Sequence, residues 1–402
     1  MQRQEFIDLI SHEGRALLES IDYDSKIDLV KLVTRLRADG NSPSLVAAVL
    51  SQAKLRKRAQ AKFGDFASRM LFTEDGLEQA SRLNVAALHA GRFRAAGASH
   101  IADLGCGIGA ESLALGALGL RVTAMEIDEI TAAVATHNLI PFDSVDVQHA
   151  DVTATDLSAF DGRFFDPARR ELGGPKRAAA ARKFDPNQFS PNYEWVVERC
   201  TDAGVKAAGI KLGPGHPHEA IPENCEAQWV SVNGDLVELA LWFGAAARPG
   251  IARSALLLDS AGQHEITSNT LLGHAAPLGE LGAFIYEPDN AVVRSHLIAE
   301  LAETTDLRGF SPNIAYLTGD AELRSPWLKG YSVVEELPFD RKKLKARLRE
   351  LGVGILEIKK RGADITPEQL RKELDPKGKG SATLIITRIG EAHRAIICQP
   401  LA

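Results

Sequence analysis

Over the first 95 residues, apolar positions recur every three to four residues, and this spacing predicts helices. Ser42-Pro43 opens one of them, with Ser as N-cap and Pro in the first turn. Leu45, Val46, Val49 and Leu50 continue it, it runs through Lys54-Leu55-Arg56-Lys57-Arg58, and Gly64 ends it. A second helix is predicted from about Glu74 to Ala95, where Leu77, Ala80, Leu83, Ala87 and Leu88 keep the helical period. From Ser99 the pattern changes to short apolar runs separated by helical segments. The runs are His100 to Leu104, Arg121 to Glu126, Asp146 to His149, Arg163 to Phe165, Lys206 to Lys211, Ala227 to Val232 and Leu236 to Phe243. Strands alternating with helices imply βαβ units and a parallel sheet. The last two runs are joined by Asn233-Gly234-Asp235, a hairpin signal. The expected fold is therefore α/β, with a doubly wound, Rossmann-like sheet after a helical N-terminal region.

Residues 246–326 are less regular. Ala255 to Leu258 and Ala283 to Tyr286 read as strands, and Ala291 to Glu303 as a helix. A compact αβ pattern begins at Trp327. Tyr331 to Glu335 and Gly354 to Lys359 are strand-like around a basic helix, Arg341 to Leu351. Thr366-Pro367-Glu368 opens another helix, and Thr383 to Arg388 with Arg394 to Cys398 form a closing strand pair. The domain division expected from these patterns is 1–95 helical, 96–326 catalytic with its core at 96–245, and 327–402 a small αβ domain. No internal repeat is evident.

Charge sharpens this division. The whole chain carries a net −6, but the segment from Trp327 onward has 16 basic and 10 acidic side chains, against 31 and 43 before it. A basic tail on an acidic body points to a polyanionic partner for the tail. The four cysteines, Cys106, Cys200, Cys225 and Cys398, are dispersed without a CxxC pair, so neither a disulfide framework nor a zinc site is expected. No metal is expected. The apolar runs are too short to span a membrane, and Met1-Gln-Arg-Gln-Glu lacks the apolar segment of a signal peptide. A cytoplasmic location is expected, without membrane association.

The strongest chemical signal is Asp103-Leu104-Gly105-Cys106-Gly107-Ile108-Gly109, between the first strand and the following helix. Glycines there let the backbone turn tightly and approach a ligand. Gly105-x-Gly107-x-x-Ala110 also satisfies the dinucleotide pattern. Three carboxylates favour S-adenosylmethionine over a nicotinamide. Asp103 is placed to receive the amino-acid end of that donor. Glu126, closing the second strand, can accept both ribose hydroxyls. Asp151, closing the third, can accept from the adenine amino group. Ile127 and Val152, next to the last two, complete the expected donor site. Cys106 reads as a small filler rather than a nucleophile.

The motif Asp103 to Gly109, with Glu126, Asn138 and Asp151, resembles class I S-adenosylmethionine-dependent methyltransferases over about residues 96–245. The whole chain resembles a bacterial family of methyltransferases with a C-terminal THUMP-like domain. Phe72 to Ala80, Asp166-Pro167-Ala168-Arg169-Arg170, Lys211-Leu212-Gly213-Pro214-Gly215 and Glu357-Ile358-Lys359-Lys360-Arg361-Gly362 carry that closer likeness. Its catalytic domain is similar to RNA cap guanine-N2 methyltransferases. In amino-group methyltransferases, an Asn/Asp/Ser-Pro-Pro-aromatic motif follows the fourth strand and holds the target amine, with the aromatic stacked on the base. This sequence keeps Asp166 and Pro167, but has Ala168 for the second proline and Arg169 for the aromatic. A guanidinium can also stack on a base.

The resemblance implies methyl transfer to a nucleobase in structured RNA, with Asp166, Pro167 and Arg169 catalytic. Arg170, Lys176, Arg177 and Lys211 near the reaction centre, and Arg341, Lys342, Lys359, Lys360 and Arg361 in the tail, are the candidate RNA contacts. His216 and His218 have no evident catalytic partner. Two other readings stay open: a small-molecule or protein methyltransferase whose tail is structural, and a non-catalytic RNA-binding protein that retains the donor pocket.

Overall fold

The computed structural model describes residues 1–24, 27–169 and 188–401. They form two compact units, Met1–Leu212 with Leu241–Arg248, and Gly213–Ala240 with Pro249–Ala402.

In the first unit, four strands follow the predicted order: β1 (His100–Leu104), β2 (Arg121–Glu126), β3 (Val145–His149) and β4 (Gly162–Phe165). A two-residue ladder, Ala168–Arg169 against Phe189–Ser190, lies between β4 and β5 (Ala207–Leu212). All five strands pair in parallel, in the order β3-β2-β1-β4-β5. The order reverses beside β1, so a crevice opens at the carboxyl ends of β1 and β4, where α/β sheets bind ligands. The end of a longer strand, Leu241–Gly244, lies on the far side of β5. Gly209 of β5 leaves room there for Trp242, whose ring a Cβ would meet at 2.7 Å.

The N-terminal helices share a core with this sheet. Leu9, Leu18, Leu45, Val49, Phe63 and Phe72 pack in one buried cluster with Ile108, Leu113, Ala124, Val134 and Leu139. The predicted long helix is Pro43–Phe63, with Ser42 Oγ accepting the Leu45 N–H and Gly64 ending it at φ 54°. The segment predicted as one helix from Glu74 to Ala95 is two, Glu74–Gln79 and Leu83–Ala96. Its apolar period continues across the break, but Ala80 and Arg82 adopt extended backbone angles. The carbonyls freed at this break find side-chain donors, described below.

The second unit contains the predicted hairpin. Strand β6 (Glu226–Val232) turns into β7 (Asp235–Gly244) through Asn233 at φ 52° and Gly234 at φ 84°, the two left-handed residues that such a tight turn requires. Strand β8 (Arg253–Asp259) pairs in parallel with β6, and β9 (Gly262–Ser268), which the sequence pattern did not reveal, pairs antiparallel with β8. The predicted helix Ala291–Glu303 is split into Asn290–Arg294 and Ile298–Thr305, with His296 at φ 58° between them.

The tail holds a seven-stranded sheet. Strands Leu328–Pro338, Ala392–Pro400, Gly380–Ile389 and Val353–Lys360 neighbour one another in that order. The sheet also takes in Phe284–Pro288, Leu317–Gly319 and Arg308–Gly309, which precede Trp327 in the chain. Helices Arg341–Glu350 and Pro367–Leu374 cover one face, with Leu344, Leu348, Leu370 and Leu374 buried against Ile358, Leu384 and Ile397.

Candidate active site

A cavity of about 780 Å³ opens at the carboxyl ends of the first unit's strands, within the size range of small-molecule sites. The loop after β1 forms its floor. Gly105, Gly107 and Gly109 all have positive φ, at 89°, 55° and 90°. A Cβ on Gly105 would stand 3.0 Å from the Asp166 carbonyl oxygen, so the turns after β1 and β4 pack backbone to backbone. A Cβ on Gly107 would project into open space.

Asp103 is fully buried beneath this loop. Its Oδ2 accepts from Ser112 Oγ at 2.5 Å, while Oδ1 meets no hydrogen-bond donor among the described residues. Burial pushes its carboxyl up to about 7, with Glu111 and Asp166 adding to the shift and the Ser112 hydrogen bond opposing it. Glu126 ends β2. Its Oε2 accepts the Gly107 N–H at 3.0 Å and its Oε1 the Asp128 N–H at 2.9 Å. Beside it, Ile127 is 64% exposed. At the end of β3, Asp151 Oδ1 accepts from Thr153 N–H and Oγ1, which holds its carboxyl below the usual range, and Val152 is buried against the cavity.

These groups suit a ligand with an ammonium, a diol and an adenine. Asp103 offers a buried carboxylate oxygen without a partner among the described residues, Glu126 offers further lone pairs, and the Gly107 cradle admits backbone approach.

Two proteins of Mycobacterium tuberculosis, from strains CDC 1551 / Oshkosh and ATCC 25618 / H37Rv, are each 32% identical to this chain over 383 residues. Each match covers 91% of this chain and 99% of the relative, and each relative is named an uncharacterized S-adenosylmethionine-dependent methyltransferase. The chain belongs to the S-adenosylmethionine-dependent methyltransferases. The family model for a THUMP domain-like domain matches residues 328–400, and one described as a domain of unknown function matches 2–59. The fold is similar to a crystal structure from Porphyromonas gingivalis W83, provisionally named a methyltransferase. That structure superposes with a TM-score of 0.71 at 20% identity, covering 95% of this chain and all of that one.

In this methyltransferase Asp166 follows β4 and lines the same cavity as the donor motif. Lys211 Nζ lies 2.6 Å from Asp166 Oδ2 and 3.0 Å from the Gln79 carbonyl oxygen. Pro167 is buried, and the Arg169 backbone pairs with Phe189. Arg170, Lys176 and Arg177 lie outside the described residues.

The tail cations are divided. Arg341 pairs with Glu373, while Lys359 Nζ at 2.7 Å and Arg361 at 3.5 Å share Glu287. Lys360 donates to the Ile365 carbonyl, and exposed Lys342 enters no ion pair among the described residues. His218 stacks on Trp229 and His296, and His216 is buried.

Some cavity residues carried no sequence signal. Half-buried Trp195, set edge-on against Phe165, lines the wall. Buried Glu111 pairs with His89 at 3.1 Å. Burial works against its ionisation, but the charge and hydrogen bond of His89, with the Ser81 hydrogen bond and the Lys211 charge, together hold its carboxyl low. Asn138 is not at the cavity surface. It is buried, bonding Leu71 and the Ile108 carbonyl.

Proposed function

We propose that this methyltransferase modifies a nucleobase in structured RNA. The observation that carries the reading is the THUMP domain-like match over residues 328–400 on a chain with a methyltransferase core. S-adenosylmethionine, when bound, supplies a methyl group already activated by the sulfonium, so the protein's work is positioning. Asp103 would hold the donor's ammonium. Glu126 would accept from the ribose hydroxyls, and Ile127, Asp151 and Val152 would hold the adenine. Gly105, Gly107 and Gly109 let the backbone approach. Asp166 accepts a hydrogen bond, and then a proton, from the incoming nucleophile, and the backbone at Pro167 helps to hold it. Arg169 stacks on the base or meets a phosphate. Arg170, Lys176 and Arg177 meet phosphates beside it. Residues 1–95, 96–326 and 327–402 are taken as the functional divisions, with the last presenting cations to RNA.

One observation favours a second reading. Many tail cations are matched by carboxylates: Arg347 by Glu335 and Glu350, Lys345, Arg349 and Lys377 by Asp375. A tail in which these cations are spent on its own carboxylates suits a small-molecule or protein methyltransferase in which it is structural.

The test is transfer of a labelled methyl group to total RNA from cells lacking the gene. RNA should be labelled by the wild type, and Asp166→Ala should abolish labelling while keeping donor affinity within a few-fold. Label that appears only in protein or small molecules would replace the RNA reading with the second. Asp166→Ala at the wild-type rate would remove that residue from the mechanism.

A further inference from the structure

The short helix Glu74–Gln79 ends at the cavity wall, and its last carbonyls have no partner within the helix. Two ammonium groups from distant parts of the chain take them. Lys62 Nζ, on the long N-terminal helix, donates to the carbonyls of Leu77 at 2.8 Å, Glu78 at 2.7 Å and Ala80 at 2.7 Å. Three donors meet three acceptors, at the helix end where a cation is favoured. Lys211 Nζ takes the remaining carbonyl, Gln79, and also bonds Asp166 Oδ2. On its other side the helix is pressed against the donor motif, since a Cβ on Gly76 would collide with the Ile108 side chain.

We propose that Lys62 and Lys211 are positioning residues that clamp the Leu77–Ala80 turn over the cavity, with Lys211 holding the Asp166 carboxylate in place at the cavity wall. The clamp rests on the reading of Asp166 as the group that holds the nucleophile. It gives the N-terminal helical region a part in the reaction, because Lys62 belongs to the helix that packs in the N-terminal core. Lys211, expected from sequence near the RNA, has its ammonium tied to Asp166 and Gln79 instead.

The experiment uses the full chain with Lys62→Met, Lys211→Met, the double variant, Lys211→Arg and Asp166→Asn. Melting temperature, donor affinity and the kcat and KM of methyl transfer to RNA from cells lacking the gene are measured. Lys211→Met should lower kcat about 100-fold, the scale for small misplacement of reacting groups, with donor affinity within about threefold. Lys62→Met should lower kcat less, about tenfold, because it acts only through the turn. The double variant should lose less than the product of the two, since both act on one turn, and Lys211→Arg should recover most of the rate. Should a Met variant melt below the assay temperature, the Gln variant at that position is read in its place. Wild-type kcat in folded Lys211→Met, beside an inactive Asp166→Asn, would overturn the clamp alone. An active Asp166→Asn would overturn the role of Asp166 and the clamp with it. Equal losses of melting temperature, donor affinity and kcat would mark the lysines as structural and also overturn it.

Discussion

Asn138 grips Leu71 with both ends of its amide. Its Oδ1 accepts the Leu71 N–H at 2.8 Å, and its Nδ2 donates to the Leu71 carbonyl at 3.0 Å and to the Ile108 carbonyl at 3.0 Å. Gln52 does the same for Phe72, through Oε1 at 3.0 Å and Nε2 at 2.6 Å. Two buried amides thus bind the Leu71-Phe72 backbone to the donor motif on one side and to the N-terminal helix on the other. Asn138→Leu should leave buried backbone groups unpaired and cost about 1–3 kcal/mol for each group that finds no new partner. Chemical denaturation reads the loss. Donor affinity should fall as well, because Ile108 sits within the donor loop. Full stability and full affinity in this variant would refute the account.

Donor binding should release a proton. Burial pushes the Asp103 carboxyl up from its ordinary 3.8 to about 7. An ammonium against Oδ1 favours the ionised form, so at or below pH 7 binding displaces the proton. Calorimetry at pH 6.5 in buffers of different ionisation enthalpy should give buffer-dependent heats, and Asp103→Asn should lose that dependence. The sign for stability follows from the same shift. Between about 4 and 7 the folded state holds a proton that the unfolded chain has lost, so this group makes the donor-free fold less stable as pH rises through that window. Buffer-independent heats in the wild type would place the ammonium elsewhere.

Glu126 has one role in the loop and one proposed for the donor, and the two should be separable. Its carboxylate already orders the Gly107 and Asp128 N–H groups, and it is the expected acceptor for the ribose hydroxyls. Glu126→Ala should weaken donor binding by about 1–3 kcal/mol, the scale for bonds to a charged group. Adenosine should lose as much as the full donor, whereas a ligand without the ribose should lose less. Equal loss for all ligands would point to collapse of the loop alone.

The catalytic sheet was legible in the sequence because β1, β2, β4 and β5 are short, mostly buried apolar runs ended by turns, with the more polar edge strand β3 following in the same alternation. That Asp103, Glu126 and Asp151 would line the crevice was legible because they stand at or just beyond strand ends, where chain position alone places them there. The break at Ala80 was not legible. The apolar period runs straight through it, and what stabilises the break is Lys62 and Lys211, far away in the chain. Strand β9 was missed because, as an edge strand, it alternates without burying a full face. The charge count of the tail was legible, but the pairing of those charges across strands and helices was not.

That pairing decides which tail residues should matter for RNA. Lys342 and Lys343 on one helix, and Arg371 and Lys372 on the next, are exposed and enter no ion pair among the described residues. Lys359 lies on the opposite sheet face from Ile358, which packs under these helices, and Lys359 and Arg361 are half-buried on Glu287. If the tail binds RNA through phosphates, the helical face should carry it. Each phosphate contact removed should flatten the slope of log affinity against log salt by about 0.7–0.9. Changing Lys342, Lys343, Arg371 and Lys372 to Gln should therefore weaken RNA binding and lower the slope by up to about 3.6 for four contacts, with donor affinity unchanged. Lys359→Gln should affect stability more than the slope, since it leaves Glu287 with one fewer partner. Anisotropy titrations between about 50 and 200 mM salt would read both. An unchanged slope in the four-residue variant would take this face out of RNA recognition and strengthen the reading in which the tail is structural.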